Sequence, residues 1–201
     1  MTNKYQVDVP EGQIGDWWIE KHTVTKEEAA LGAMRAAFGS GRCVPEGTYT
    51  GLKRKGGFGG STLVMSDSPD EIRDHWEPIH KATGHCLVNG LGLGVVLNAM
   101  LMKDEVEHVT VIELSTDVIQ LVEPHWREKW GDRFTVINAD AFEHKPPKGE
   151  RYNVVWHDIW DTICADNLPD MHKLHRKYGR RADWQGSWCR CLCERQNRTN
   201  W

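Results

Sequence analysis

Short apolar runs alternate with amphipathic stretches from residue 84 onwards. The runs have the length of buried strands, and the stretches between them have the period of crossover helices. This alternation is typical of a parallel sheet with helices on both faces, so we predict a Rossmann-like wound α/β sheet, mainly parallel. The predicted strands are 86–88, 109–112, 134–137 and 154–156. The predicted helices are 95–102, 117–130 with a break at Pro124, 167–178 and 183–195.

The residues before position 84 lack this alternation. Thr25 and Glu28 have the spacing of a capping box and precede an alanine-rich stripe. This pattern predicts a helix over 26–38, with Gly39 as its stop.

A glycine cluster and a second helix start follow in the same region. Two strand-like pieces within 48–64 flank the glycine-rich run 56–60, which predicts a hairpin or flap. Ser68, followed by a proline, predicts a second helix that runs towards Gly84, with Pro78 as a kink or an early end.

Composition narrows the class of protein. The 201 residues hold 25 Lys and Arg against 29 Asp and Glu, a net charge of −4, whereas nucleic-acid binding favours a cationic surplus. No stretch approaches the roughly 20 apolar residues of a membrane helix, and the first 16 residues hold no apolar core of a secretion signal. We therefore expect a cytoplasmic protein with no membrane or nucleic-acid partner. At this length we expect one compact domain, with a helix-and-hairpin extension (1–83) packed on the sheet-forming core (84–201).

The candidate chemistry begins at three glycines, Gly90, Gly92 and Gly94, between a predicted strand and a predicted helix. Such a turn lets a ligand approach the backbone, although glycines there also serve close packing of strand against helix. Glu113 ends the next strand 19 residues after Gly94, near the spacing of about 20 at which an acidic side chain meets ribose hydroxyls. The third glycine lies one residue earlier than in the dinucleotide pattern, which makes NAD the less favoured ligand.

Two further carboxylates follow the next two predicted strands. Asp140 comes shortly after the third strand and Asp158 directly after the fourth. Wound sheets bind ligands at the carboxyl ends of their strands. Four successive strands thus carry a glycine or an acidic residue at the same end, which packing alone explains poorly.

Residues 84–161 resemble a class I S-adenosylmethionine-dependent methyltransferase, and within that superfamily the spermidine synthase branch. The resemblance implies that the glycines form the nucleotide-binding turn and that the glutamate holds the ribose. It also implies that an aspartate–alanine pair contacts the adenine. The residues that it assigns to S-adenosylmethionine are Gly90, Gly92, Gly94, Glu113, Asp140 and Ala141.

The acceptor side of the resemblance rests on two aspartates. Asp158 and Asp161 fall where spermidine synthases carry a D-x-x-D that holds the acceptor amine, but Thr162 stands in place of the proline that follows it. Only 40 residues come after Asp161, where the family normally adds several strands and much of the acceptor pocket. The resemblance therefore implies a short, truncated relative with Asp158 and Asp161 as catalytic residues.

Three functions follow from this resemblance. The first is transfer of a methyl group to a small-molecule acceptor, an amine or another cation. The alternatives are aminopropyl transfer of the spermidine synthase type and S-adenosylmethionine binding without catalysis. The sequence is compatible with a homo-oligomer but does not indicate one.

Other segments carry weaker patterns. Cys189, Cys191 and Cys193 alternate, so that only the first and last share a helical face and no C-x-x-C pair exists, and we expect no metal site. The glycine-rich flap at 56–60 is either a lid over the site or a plain surface hairpin. Residues 180–188 combine arginines with tryptophans, which favours a docked helix over a base-stacking surface.

Overall fold

A computed structural model describes residues 4–38, 43–56 and 60–199. This part of the chain forms two sheets, one antiparallel and one parallel. The antiparallel sheet consists of β1 (Gly12–Ile14), β2 (Trp17–Val24), β3 (Gly47–Lys55) and β4 (Ser61–Ser66). The parallel sheet consists of β5 (Gly84–Asn89), β6 (Val106–Glu113), β7 (Phe134–Asn138), β8 (Tyr152–His157) and β9 (Ala182–Ser187).

Helices connect and cover these strands. They are α1 (Lys26–Ala37), α2 (Pro69–Asp74), α3 (Trp76–Lys81), α4 (Val95–Leu101), α5 (Thr116–Trp130), α6 (Leu168–Tyr178) and α7 (Arg190–Thr199). In the described part of the chain, none of them combines the length and the apolarity that crossing a bilayer requires.

The parallel sheet has the strand order β7-β6-β5-β8-β9, and every neighbouring pair is parallel. The chain therefore starts in the middle of the sheet, winds to one edge, returns, and winds to the other. This confirms the predicted Rossmann-like wound α/β sheet. The order reverses beside β5, where open wound sheets form a crevice at the carboxyl ends of the strands.

One hydrophobic cluster joins the two sheets. It includes Ile19 and Leu52 of the antiparallel sheet together with Val88 and Val111 of the parallel sheet, all buried. Such shared burial holds the antiparallel sheet against the carboxyl edge of the parallel one. The predicted division between residues 1–83 and 84–201 stays a prediction.

Two prolines do not act as the sequence analysis expects. Helix α5 continues through Pro124 without a break, because Val122 and Trp126 are buried on either side of the proline and hold the helix in place. Pro78 lies in the first turn of α3, where a missing N–H breaks no intrahelical bond. The interruption falls at His75 instead, between α2 and α3.

The predicted helix 183–195 is wrong, and so is the docked helix predicted at 180–188. Strand β9 occupies the first part and pairs in parallel with β8, and α7 begins only at Arg190. Gly186 makes room for two tryptophan rings in this strand, since a Cβ there would lie 2.6 Å from the ring of Trp184 and 2.9 Å from that of Trp156. The stacked tryptophans fill this space.

The N-terminal region contains more strand than predicted, because β1 and β2 were not expected. The predicted hairpin is confirmed as β3 and β4, whose tip, residues 57–59, lies outside the described residues. The capping box of Thr25 and Glu28 is confirmed at the start of α1, while Gly39 lies outside the described residues. No described side chain of α1 is buried, and Phe38 directly after it is 84% exposed.

Candidate functional site

A cavity of about 540 Å³ opens at the carboxyl edge of the parallel sheet, beside the point where the strand order reverses. This size is within the range of small-molecule sites. Seven of the eight predicted site residues line it; Gly94 does not. The seven are Gly90, Gly92, Glu113, Asp140, Ala141, Asp158 and Asp161.

The glycine turn is tightly enclosed by the rest of the protein. Gly90 has φ +99°, and a Cβ there would lie 2.0 Å from the carbonyl oxygen of Asp158. Gly94 has φ +76°, and its Cβ would lie 2.1 Å from Nε1 of Trp126. Both positions combine a left-handed backbone with no room for a side chain. Gly94 is therefore explained by close packing against Trp126 rather than by contact with a ligand.

Glu113 binds the glycine turn directly. Its Oε2 accepts a hydrogen bond from the Leu91 N–H at 2.8 Å, and its Oε1 accepts one from the Ser115 N–H at 2.8 Å. These bonds fix the carboxylate at the end of β6, against the turn after β5. Each oxygen of a carboxylate can accept a second hydrogen bond, so this side chain can also bind ligand hydroxyls.

Side-chain hydrogen bonds fix residues 140–142 in the loop after β7. Asp140 Oδ1 accepts from the Phe142 N–H at 2.7 Å. Lys177 of α6 donates to the carbonyl oxygens of Ala141 and Phe142 at 2.8 and 2.9 Å. Sequence reasoning missed Lys177, since nothing near it in the chain points to this loop 35 residues away. The loop thus presents Asp140 and Ala141 at a fixed place on the cavity wall.

Asp158 differs from these carboxylates. Its backbone N–H donates to the Asn89 carbonyl at 2.8 Å, but its side chain lies among other acids and is only 14% exposed. Burial, reinforced by the negative charges of Glu71, Asp74 and Glu113, raises the pKa of Asp158 to about 8. A carboxyl group in this state can hold or accept a proton near neutral pH.

Asp161 is in a different environment from Asp158. Its Oδ2 pairs with the Arg54 guanidinium of β3 at 2.8 Å, and both side chains are partly exposed. Arg54 also stacks over the ring of Trp17, with 5.2 Å between the guanidinium carbon and the ring centroid. The structure brings Asp158 and Asp161 to one cavity. They differ in environment, because Asp161 is neutralised by an arginine and Asp158 is buried near other acids. The strand leading into the predicted flap contributes Arg54 to the cavity wall.

A buried hydrogen-bond network lies behind Asp158. Nδ2 of Asn89 donates to Nδ1 of His157 at 2.7 Å, and Nε2 of His157 faces Oε1 of Gln185 at 3.4 Å. Burial is the main reason that the pKa of His157 falls to about 3. The neutral imidazole thus links the ends of β5, β8 and β9 and fixes the strand end that carries Asp158.

Several wall residues come from the N-terminal region, and sequence reasoning missed them. Glu71 and His75 reach the cavity from α2 and from the break after it. Met65 of β4 lies against the glycine turn, and its Sδ is 3.3 Å from the Leu93 N–H. No local pattern marks these residues, because only the docking of the antiparallel sheet brings them near the turn.

Within residues 4–38, 43–56 and 60–199, no three His, Cys, Asp or Glu side chains are grouped to hold a metal ion. Cys193 is buried in α7 and Cys191 is exposed, so these two side chains point in different directions. Among the described residues, the alternating cysteines of 189–193 are therefore not part of a cluster that could hold a metal ion.

No protein-family model matches the sequence. Over 113 residues, the chain is 31% identical to polyamine aminopropyltransferase 1 of Streptomyces coelicolor. The alignment covers 51% of this chain and 21% of that protein, so the chain spans about a fifth of the curated relative that it matches.

Solved structures that match part of the chain include methyltransferases. A candidate RNA methyltransferase from Pyrococcus horikoshii is 16% identical, with a TM-score of 0.44, over 57% of this chain and 56% of that one. An S-adenosylmethionine-dependent methyltransferase from Clostridium acetobutylicum is 11% identical, with a TM-score of 0.41, over 56% and 44%. A candidate methyltransferase from Escherichia coli is 18% identical, with a TM-score of 0.44, over 64% and 71%. At these identities and TM-scores, the description of the fold rests on the strand order of the sheet.

Proposed function

We propose that the cavity binds S-adenosylmethionine and that the protein transfers the methyl group to an amine or another cationic small molecule. One observation carries this proposal. The glycine turn, Glu113, Asp140 and Asp158, which lie at or just after the ends of four different strands, all line one cavity at the carboxyl edge of a wound sheet.

The residues on one side of the cavity suit the nucleoside part of the donor. Glu113 is fixed by two backbone N–H groups and keeps acceptor capacity for the two hydroxyls of a ribose. Asp140 accepts the Phe142 N–H through Oδ1, and its Oδ2 is the oxygen that we assign to the exocyclic amine of adenine. Gly90 and Gly92 allow close approach to bare backbone. When bound, S-adenosylmethionine supplies an activated methyl group on a positively charged sulfur.

The other side of the cavity suits a cationic acceptor. Asp158 lies near Glu71, Asp74 and Glu113, so a positive charge placed there relieves repulsion between carboxylates. A positioned carboxylate can orient an amine and accept its proton. For the same reason, we propose a small amine rather than a nucleic acid as the acceptor, since phosphates are repelled by these groups.

Aminopropyl transfer is the second candidate function. The matching segment of a polyamine aminopropyltransferase favours it, as does the placement of Asp158 and Asp161 on one cavity. Arg54 argues against it, because the ion pair with Asp161 already satisfies the second carboxylate that a polyamine would need.

Calorimetry of the purified protein tests the ligand. S-adenosylmethionine and S-adenosylhomocysteine are expected to bind with about micromolar affinity, and NAD far more weakly. Binding of NAD alone would refute the proposal.

The by-product then separates the two chemistries. Incubation with a panel of amines should release S-adenosylhomocysteine if methyl groups are transferred. Release of methylthioadenosine from the decarboxylated donor would instead establish aminopropyl transfer. Tight binding with neither product, across amines and a control RNA, would favour a protein that binds the nucleoside without catalysis.

A further inference from the structure

His75 is a buried histidine whose position the sequence does not explain. It lies between α2 and α3, where the helix is interrupted, and its side chain is 2% exposed. Its ring meets Trp156 edge-on, with 6.0 Å between ring centroids and an interplanar angle of 87°. Burying an imidazole is unfavourable unless its nitrogens find partners.

One partner is the carboxylate of Asp158. Nε2 of His75 lies 3.7 Å from Oδ2 of Asp158, although the two residues are 83 positions apart in the chain. This separation is slightly longer than a direct hydrogen bond, as is common for acid–base pairs before substrate binds. Both residues line the cavity, and the Asp158 side chain is the more exposed of the two.

The charges around this pair favour a bound proton. Asp158 faces Glu71 and Asp74 from α2 and Glu113 from the end of β6, all of which oppose its ionisation. His75 is a basic group within 4 Å of its carboxylate. A proton placed between Nε2 and Oδ2 reduces this crowding of negative charge.

We propose that His75 and Asp158 act as one base that shares at most one proton. The pair first releases its resting proton to water and then receives one from an ammonium acceptor. This inference rests on the proposed function. The N–H bond of the acceptor breaks, the electron pair stays on the acceptor nitrogen, and the proton passes to Oδ2 of Asp158 or Nε2 of His75. The nitrogen is then a nucleophile, and the pair returns the proton to water when the product leaves.

Sharing one proton makes the titrations of the two residues interdependent. A base that titrates near the working pH is also the most effective one. His75 thus affects the pH at which Asp158 gains and loses its proton. The acceptor that suits this pair is an amine that is protonated in solution. A neutral phenol or thiol acceptor gains less from it.

Nuclear magnetic resonance of the ligand-free protein, with 15N-labelled histidine rings, tests the coupling without any substrate. In the wild type, the His75 ring should report a titration step near pH 8, because it senses the loss of the shared proton. Asp158→Asn should abolish this step, and His75→Gln identifies the resonance. His80, an exposed histidine on α3, is the internal control, and its ring resonances should be the same in both proteins. An unchanged His75 titration in Asp158→Asn would overturn the proposal.

A binding measurement tests the pair in the presence of a positive charge. The probe is sinefungin, an adenosyl amino acid with an ammonium group in place of the methylsulfonium. From pH 6 to pH 8, its affinity relative to S-adenosylhomocysteine should rise about tenfold or more as the pair loses its proton. Asp158→Asn should flatten this profile, and His75→Gln should move its midpoint by at least about one pH unit.

The outcomes separate the two proposals. A His75→Gln profile that superimposes on the wild type would reduce His75 to a packing residue and overturn this inference. If neither sinefungin nor S-adenosylhomocysteine binds, the proposed function is refuted instead. The titration of the ligand-free protein would still test whether His75 and Asp158 share a proton.

Discussion

The two sides of the cavity are built in different ways. On the nucleoside side, Glu113 and Asp140 each accept hydrogen bonds from backbone N–H groups. Glu113 ends β6 and Asp140 follows β7, the neighbouring strand in the sheet. On the acceptor side, Asp158 is buried beside other carboxylates, and its partner His75 comes from a distant segment of the chain. Asp161 is paired with Arg54 instead.

This difference separates a binding surface from a reactive one. Backbone N–H groups stabilise an ionised carboxylate and hold it rigidly, which suits recognition of a nucleoside. Burial among like charges destabilises an ionised carboxylate and places its pKa near neutrality, which suits proton transfer. Asp158 therefore lowers the stability of the folded protein at the place where we expect chemistry.

Asp158→Asn should give the largest effect on the acceptor side. We expect turnover with amine acceptors to fall by about 10²–10⁴-fold, because the asparagine cannot accept a proton. The affinity for S-adenosylhomocysteine should stay within about threefold. Mass spectrometry of the product and calorimetry of the nucleoside measure the two quantities. Loss of nucleoside binding would show that the two sides are not separate.

Gly94→Ala should give the largest loss of stability on the nucleoside side. The new Cβ would clash with Trp126 at a position with positive φ, so we expect a loss of about 2–4 kcal/mol in urea unfolding. Gly149→Ala is the matched control, since Gly149 also has positive φ but no atom within 4 Å of its Cβ. It should lose only about 1 kcal/mol. Equal losses would mean that packing against Trp126 contributes nothing.

Glu113→Ala should weaken nucleoside binding without affecting the acceptor side. Two ribose hydroxyls lose their acceptor, which corresponds to roughly 1–3 kcal/mol of binding free energy in calorimetry. Glu107→Ala on the same strand is exposed and serves as the control. An unchanged affinity in Glu113→Ala would place the ribose elsewhere.

A second effect of Asp158→Asn is a gain of stability that depends on pH. The folded protein holds the Asp158 proton up to about pH 8, whereas the unfolded chain releases it near the model-peptide value. Wild-type stability is therefore lost as pH rises from about 4 to 8, and the asparagine variant avoids this loss. We expect it to be more stable than wild type at pH 8 and equal to wild type at pH 4, measured by urea unfolding. A constant difference would contradict the burial of the charge.

His157 provides the opposite pH dependence. Its pKa is lowered to about 3 in the folded protein, so the unfolded chain binds a proton first as pH falls below about 6.5. Stability from the neutral network with Asn89 is fully present above that pH and declines towards pH 3. His157→Gln should reduce this acid sensitivity, which unfolding curves at pH 7 and pH 5 can measure.

The sequence predicts the central strands well, because both faces of each strand are covered by apolar side chains and the strand therefore reads as a continuous apolar run. Strand β9 escapes this reasoning, since it is an edge strand of mixed composition that pairs only with β8. Pro124 misleads for a related reason, because burial of its neighbours outweighs its local preference. Local patterns are reliable where local and tertiary forces agree.

The candidate site also contains residues that local sequence patterns predict and residues that they do not. The nucleoside side could be predicted because consecutive strand ends must meet at one edge of a parallel sheet. His75 and Arg54 could not, since the packing of the antiparallel sheet and of α2 brings them to the cavity. The spacing of residues along the sequence gives no indication of that packing.

Helix α1 has a consequence for how the protein opens. None of its described side chains is fully buried, and twelve residues are near the length at which an isolated helix is marginal in water. Its amides should therefore exchange with deuterium through local opening, while those of β5 exchange only when the whole protein unfolds. Trypsin should cut first after Arg35. Because β2 and β3 pair along their full length on either side of this helix, the nicked chain should stay assembled as two fragments held by one sheet.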